Sequence, residues 1–170
     1  SIAQFSSNYF YESALQTPKN LSDQGEHVVF YDTAGTGFED KPGKDGRSLT
    51  NEGELDIVTK LIASEKIDAQ KVAFISQYSG QVGMAREQLD KDIRISTIDS
   101  FQGQECEAII ISLVRSNTDA VIGFLKDYRR MNVAITRAKE RLFIVGDSAT
   151  IGRDPFYGAF LEYVEEIGGY

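Results

Sequence analysis

Cysteine and histidine each occur once in these 170 residues, as Cys106 and His27. A single cysteine excludes an internal disulfide and fits a reducing compartment. A single histidine excludes a His-rich metal site and any nucleophilic triad built around a second histidine. His27 itself reads as a polar residue at the start of a strand. Long apolar runs are also missing: no stretch approaches the ~20 residues a membrane-crossing helix needs. The first residues lack the charged, apolar and small-residue regions of a signal peptide. The expected location is therefore cytoplasmic, or nuclear if eukaryotic, with no membrane partner. Positive charge is scarce, at 18 Lys and Arg against 26 Asp and Glu, a formal net charge of −8. That balance argues against a freestanding nucleic-acid binder, whose phosphate contacts need basic surface.

Two glycine motifs are absent as well. No G-x-x-x-x-G-K-[ST] loop occurs, and Gly43-Lys44-Asp45 does not supply one. Gly35-Thr36-Gly37 opens like a dinucleotide fingerprint, but Asp40 stands at the sixth position and no apolar helix follows. A dinucleotide enzyme is excluded on that ground.

What remains is ordinary for a globular domain: 41% apolar and 11% aromatic residues in a length that can close one core. Residues 1–17 are rich in aromatics (Phe5, Tyr9, Phe10, Tyr11) and read as a helix and turn. VVFYD (28–32) reads as a buried strand, and 33–48, with four glycines and a proline, as an exposed loop. Asn51 with Glu54 three residues on has capping-box spacing, and Leu55, Val58, Leu61 and Ile62 follow at helical intervals. The pattern then alternates. Strands are expected at 71–76, 93–98, 107–114 and 141–147; helices at 81–89, 127–138 and 156–166. Strands apolar on both faces and separated by helices imply an α/β fold, a mostly parallel central sheet with helices on both faces. Ligands of such sheets sit at the carboxyl ends of the strands. Ser76 to Tyr78, Asp99 to Glu105, Arg115 to Asn117 and Asp147 are expected there. No repeat, linker or low-complexity segment divides the chain, so 1–170 reads as one domain.

Charge is uneven within that domain. Lys126 to Arg141, KDYRRMNVAITRAKER, holds six basic residues against Asp127 and Glu140. Met131, Ala134, Ile135 and Ala138 recur at helical spacing as its packed face. Arg130 and Arg137, seven apart, would fall within roughly 20° of each other and about 10 Å apart along one helix. Two guanidiniums so placed can address phosphate bidentately. A second segment, STIDSFQGQE (96–105), leaves a strand through a turn carrying Thr97, Asp99, Gln102, Gly103 and Glu105. It reads either as a polar turn or as a close approach to a ribose or phosphate, with Gly103 clearing the way. Ser76-Gln77-Tyr78, after the strand KVAFIS, could bind a phosphate and stack on a base, or simply pack.

Together these segments resemble the second RecA-like motor domain of a superfamily 1 helicase. The closer resemblance is to the branch with the nonsense-mediated-decay helicase, the immunoglobulin-mu-binding helicase and the replication helicase–nuclease. FSSNYFYESAL resembles the stretch after the family's Tyr-Arg-Met-His-Pro motif. VAFISQYSGQ resembles motif IV, STIDSFQGQE motif V, and RRMNVAITRAKERLFIVGD motif VI; the piece VRSN…IGFLKDYRR also matches. The resemblance implies ATP and Mg2+ held mainly by a first motor domain, to which Arg137 would reach, with Arg130 supporting the phosphate site. It implies nucleotide contacts from Gly103, Glu105 and Gln102. Contacts to single-stranded DNA or RNA are implied for Ser76, Tyr78 and Thr97, with Asp99 beside them on a turn that couples the two sites. Movement 5′→3′ and a monomeric state are further expectations. Gln77 stands where many relatives have Pro, and Gln104 where several have Arg. Without a P-loop or a metal-binding Asp-Glu motif, 1–170 alone is expected to be inactive, an excised half whose residues 1–25 would pack near the first motor domain. The competing reading is a non-catalytic motor-like interaction module.

Overall fold

The computed structural model describes Phe5, residues 27–101 and residues 103–170. Apart from Phe5, the expected N-terminal helix and turn lie outside the described residues, as does Gln102. In chain order the strands are β1 (His27–Asp32), β2 (Lys41–Pro42), β3 (Leu49–Thr50), β4 (Val72–Ser76), β5 (Arg94–Thr97), β6 (Cys106–Ser112) and β7 (Ala138–Gly146). The helices are α1 (Glu52–Ser64), α2 (Ser79–Gln88), α3 (Ile98–Phe101), α4 (Tyr128–Ile135), α5 (Ser148–Ile151) and α6 (Pro155–Glu166).

Five strands form one sheet in the order β1-β7-β6-β4-β5. Every neighbouring pair is parallel. The order follows from hydrophobicity. β4 (VAFIS) is buried at all five positions and β6 at all but Glu107, so neither tolerates an edge. β5 (RIST) is polar and half-exposed and takes one edge. The opposite edge, β1, is partly covered: Phe30 N–H donates to Gly169 O at 2.7 Å.

Strand alternation then divides the core in two. Ala73, Ile75, Ile109, Ile111, Leu142 and Ile144 face α4 and α6 through Met131, Ala134, Ile135, Phe156 and Phe160. Val72, Phe74, Ala108, Ile110, Phe143 and Val145 face α1 and α2 through Leu55, Val58, Leu61 and Ala85. Each large side chain so buried contributes roughly 1.5–3 kcal/mol. Phe5 joins the first layer, its ring 5.3 to 5.7 Å from those of Phe160, Tyr163 and Phe156.

Three local expectations are corrected. The helix expected to run to Ala138 ends at Ile135, and Ala138 instead opens β7. Thr136 turns its hydroxyl back onto the carbonyls of Asn132 and Val133, and Cys106 N–H takes the carbonyl of Arg137. Pairing with β6 thus outweighs the helical periodicity. The loop 33–48 contains β2, which pairs antiparallel with β3 just beyond it. The capping box is half formed. Asn51 Oδ1 accepts from Glu54 N–H at 3.1 Å, but the Glu54 carboxylate turns away into the core.

Asn51 binds three segments together. Its Nδ2 donates to the carbonyls of Phe38 (2.8 Å) and Val114 (3.0 Å). Asn51→Ala therefore loses a cap and strands buried polar groups. We expect a loss of about 2–4 kcal/mol, read as a lower urea midpoint at unchanged slope.

Candidate functional site

The register assigns the polar motifs to two different edges of the sheet. Ser76 pairs with Thr97 and with Ser112, and Ser112 with Val145, so these residues share the carboxyl edge. Cys106 pairs with Ala138. Glu105 and Arg137, each one residue before that pair, lie side by side at the amino edge. This corrects the expectation that Glu105 sits at a carboxyl end: Thr97 closes β5 at the carboxyl edge, whereas Glu105 immediately precedes the start of β6 at the amino edge.

At the amino edge Cys106 N–H donates to Arg137 O at 3.2 Å and fixes the turn between α4 and β7. Arg137 is half-buried, and its Nε is buried with no hydrogen-bond partner. It makes no ion pair among the described residues. A buried donor left unmade costs about 1–3 kcal/mol, more on a charged group, so natural structures rarely keep one without a use. Glu105 lies 3.8 Å from Lys139 in an exposed pair worth at most about 1 kcal/mol. Gly103 has φ +80°, a left-handed turn that favours glycine, and the space a Cβ would enter is open. A guanidinium, a carboxylate and a bare backbone turn suit the phosphate and ribose of a nucleotide.

Arg130 stays on α4, apart from Arg137. Its Nε lies 3.2 Å from both Asp99 and Asp127, and all three side chains are about half exposed. Asp99 is thereby tied to Arg130, and the two help line a depression of about 330 Å³ with Asp127 and Arg129. Among the described residues no cluster of acids, His and Cys could hold a metal ion.

At the carboxyl edge the expected contact residues separate. Thr97 and Asp99 reach solvent. Ser76 is 0% exposed, its Oγ accepting Tyr78 N–H at 3.2 Å, and Tyr78 is 2% exposed. Neither offers a free surface to a strand. The Tyr78 hydroxyl donates to Ile122 O (3.3 Å) and accepts from Arg115 (3.4 Å) and from Phe124 N–H (3.2 Å). Arg115 also pairs with Asp40 at 3.0 Å. Burial acts to lower the Arg115 pKa, but Tyr78 and Asp40 outweigh it and the net shift is upward.

A second buried network had no clear signal in the chain. Glu54 Oε2 accepts from Ser112 Oγ (2.5 Å) and Val114 N–H (2.8 Å), while Oε1 has no partner. Gln81 Nε2 reaches Ser112 Oγ (3.0 Å) and Asn51 O (2.9 Å). Val114 has φ +70°, a strained conformation for a β-branched residue. Only the Asn51–Glu54 spacing hinted at this cluster, and it pointed to a helix cap. Burial pushes the Glu54 carboxyl up to about 8; its bonds to Ser112 and Val114 lower it less than burial raises it, and Asp147 and Asp40 add to the rise.

The five-stranded parallel sheet and its two helical layers define a RecA-like α/β domain of the helicase motor type. The chain belongs to the family described as AAA domain, which matches residues 1–149, in its superfamily 1 helicase branch. It is 35% identical over 191 residues to the DNA polymerase alpha-associated DNA helicase A of Schizosaccharomyces pombe, covering 97% of this chain and 29% of that protein. It is 35% identical over 147 residues to the rat (Rattus norvegicus) DNA-binding protein SMUBP-2, covering 83% and 15%. Identity is 31% over 190 residues to the Regulator of nonsense transcripts 1 homolog of Arabidopsis thaliana, covering 97% and 15%. The chain thus spans less than a third of these relatives. The C-terminal domain of a possible DNA helicase from Lactobacillus plantarum WCFS1 shares the fold at TM-score 0.52 and 13% identity, over 86% of this chain and 83% of that one.

Proposed function

We propose that residues 1–170 are the second motor domain of an ATP-dependent translocase or helicase on single-stranded DNA or RNA. The observation that carries this reading is Arg137: a half-buried guanidinium, without an ion pair among the described residues, beside Glu105 and the open turn at Gly103. In that place it would meet the γ-phosphate of ATP held by a first RecA-like domain of the same protein and stabilise charge developing on the transferred phosphoryl group. Glu105 and Gly103, with Gln102, would contact the nucleotide, and Arg130 would hold the neighbouring turn through Asp99. Mg2+ would be held by the first domain. Thr97 would meet the nucleic-acid backbone, and the cleft would open and close with each hydrolysis event.

The test is ATP hydrolysis by the full-length protein with and without single-stranded DNA or RNA. We expect polynucleotide to raise turnover at least several-fold, and the better polymer identifies the substrate. Turnover indifferent to both polymers would instead favour a motor-like interaction module.

A further inference from the structure

Phe124 is 65% exposed, an unusual position for a large apolar ring. Leaving it there forgoes burial free energy, yet the chain around it is built to hold it out. Ile122 and Leu125 on either side are 3% and 0% exposed and anchor the short 3-10 turn Gly123–Lys126. Gly123 has φ +52°, and a Cβ there would stand 2.3 Å from Arg115 Nη1 and 2.8 Å from the Tyr78 hydroxyl. Phe124 N–H bonds that same hydroxyl, and the two rings stack at 5.4 Å with 30° between planes. Tyr78, the residue whose sequence position suggested a stacking ring, is therefore the buried backing of another ring.

The position and surroundings of Phe124 indicate what it meets. Tyr78 follows β4 by two residues and Arg115 follows β6 by three, so the ring stands at the carboxyl edge, on the side of the sheet that also carries Thr97. Arg47, Ser48, Leu49 and Arg115 join Phe124 around a cavity of about 190 Å³. Arg47 and Lys126 are exposed and form no ion pair among the described residues. Of the acids close by in the chain, Asp40 is engaged with Arg115, Ser116 and Asn117, Asp45 with the N–H groups of Arg47 and Ser48, and Asp127 with Arg130; Asp119 is exposed. One rigid π-face bordered by uncommitted cations, on a chain of net charge −8, suits a base with its phosphates better than an apolar protein surface.

We propose that Phe124 is a stacking platform for one base of the single strand, with Tyr78 as its backing and Arg47 as a phosphate contact. This rests on the helicase reading above. The test uses the full-length protein and a fluorescent single-stranded oligonucleotide of the preferred polymer, intact or with one abasic site moved along it. Phe124→Ala is expected to weaken binding about tenfold and Phe124→Trp to restore it. One abasic position should weaken the wild type and leave Phe124→Ala unaffected. Ile167→Ala, which removes another exposed apolar side chain, should bind like the wild type. If the wild type binds no strand, the helicase reading itself falls, and this proposal with it. If the wild type binds but Phe124→Ala binds equally, only the platform is overturned. A weakened Phe124→Ala with no abasic position lost in parallel also overturns it, because the ring would then be touching protein instead.

Discussion

Arg137→Ala in the full-length protein is expected to lower polynucleotide-stimulated ATP turnover by about three to five powers of ten. The side chain offers a charged planar fork at a place set by backbone pairing, since Cys106 N–H holds its carbonyl. Its Nε has no partner among the described residues, so truncating the side chain relieves a stranded donor and should leave the melting temperature unchanged or slightly higher. ATP binding should persist, because in the proposed arrangement a first motor domain would supply most of it. Arg137→Lys keeps the charge and loses the fork, and a partial recovery of turnover is expected. The measurements are kcat, nucleotide affinity and thermal stability on the three proteins. A variant turning over within tenfold of wild type, or one that melts well below it, would make Arg137 a structural residue.

Glu54→Gln is expected to abolish a large pH dependence of stability. Glu54 holds its proton up to about pH 8 in the folded protein, against an ordinary value of 4.5. Between those values the native state binds a proton that the unfolded chain has lost. Stability from this group is therefore full near pH 4.5, falls as pH rises towards 8, and is level above 8. The total fall is on the order of 3–5 kcal/mol. The amide that replaces the carboxyl cannot ionise, so the difference between wild type and variant isolates the slope. The variant should be the more stable at pH 9 and nearly equal at pH 5. Glu54→Ala behaves differently: it strips Ser112 Oγ and Val114 N–H of their acceptor and should cost about 2–4 kcal/mol even at pH 5. Denaturant titrations from pH 5 to 9 check both. A Glu54→Gln protein with the wild-type slope would show that Glu54 is ionised in the fold.

The helicase family was legible in a handful of short segments, and the fold class in the continuous apolar runs at 72–76 and 106–112. Both rest on local order: a strand buried on two faces must be apolar throughout, and a motif keeps its spacing. The boundary of α4 was not legible, because Ala138 satisfies the helical period and the strand equally; its pairing with Cys106 decides. The roles of Ser76 and Tyr78 illustrate the same limit. Their position after a strand suggested a surface, yet burial depends on what lies above, and Phe124, 46 residues later, covers Tyr78.

By itself, then, the chain determined its main strands and longer helices, their parallel arrangement and its family, because period, capping and motif spacing act over a few neighbouring residues. Only the tertiary structure decided which residues share an edge. It brought Glu105 beside Arg137, separated Arg137 from Arg130, turned Glu54 onto a strand 58 residues away and left the Phe124 ring exposed. These contacts depend on strand order and on competition for buried hydrogen-bond partners, which no local pattern encodes.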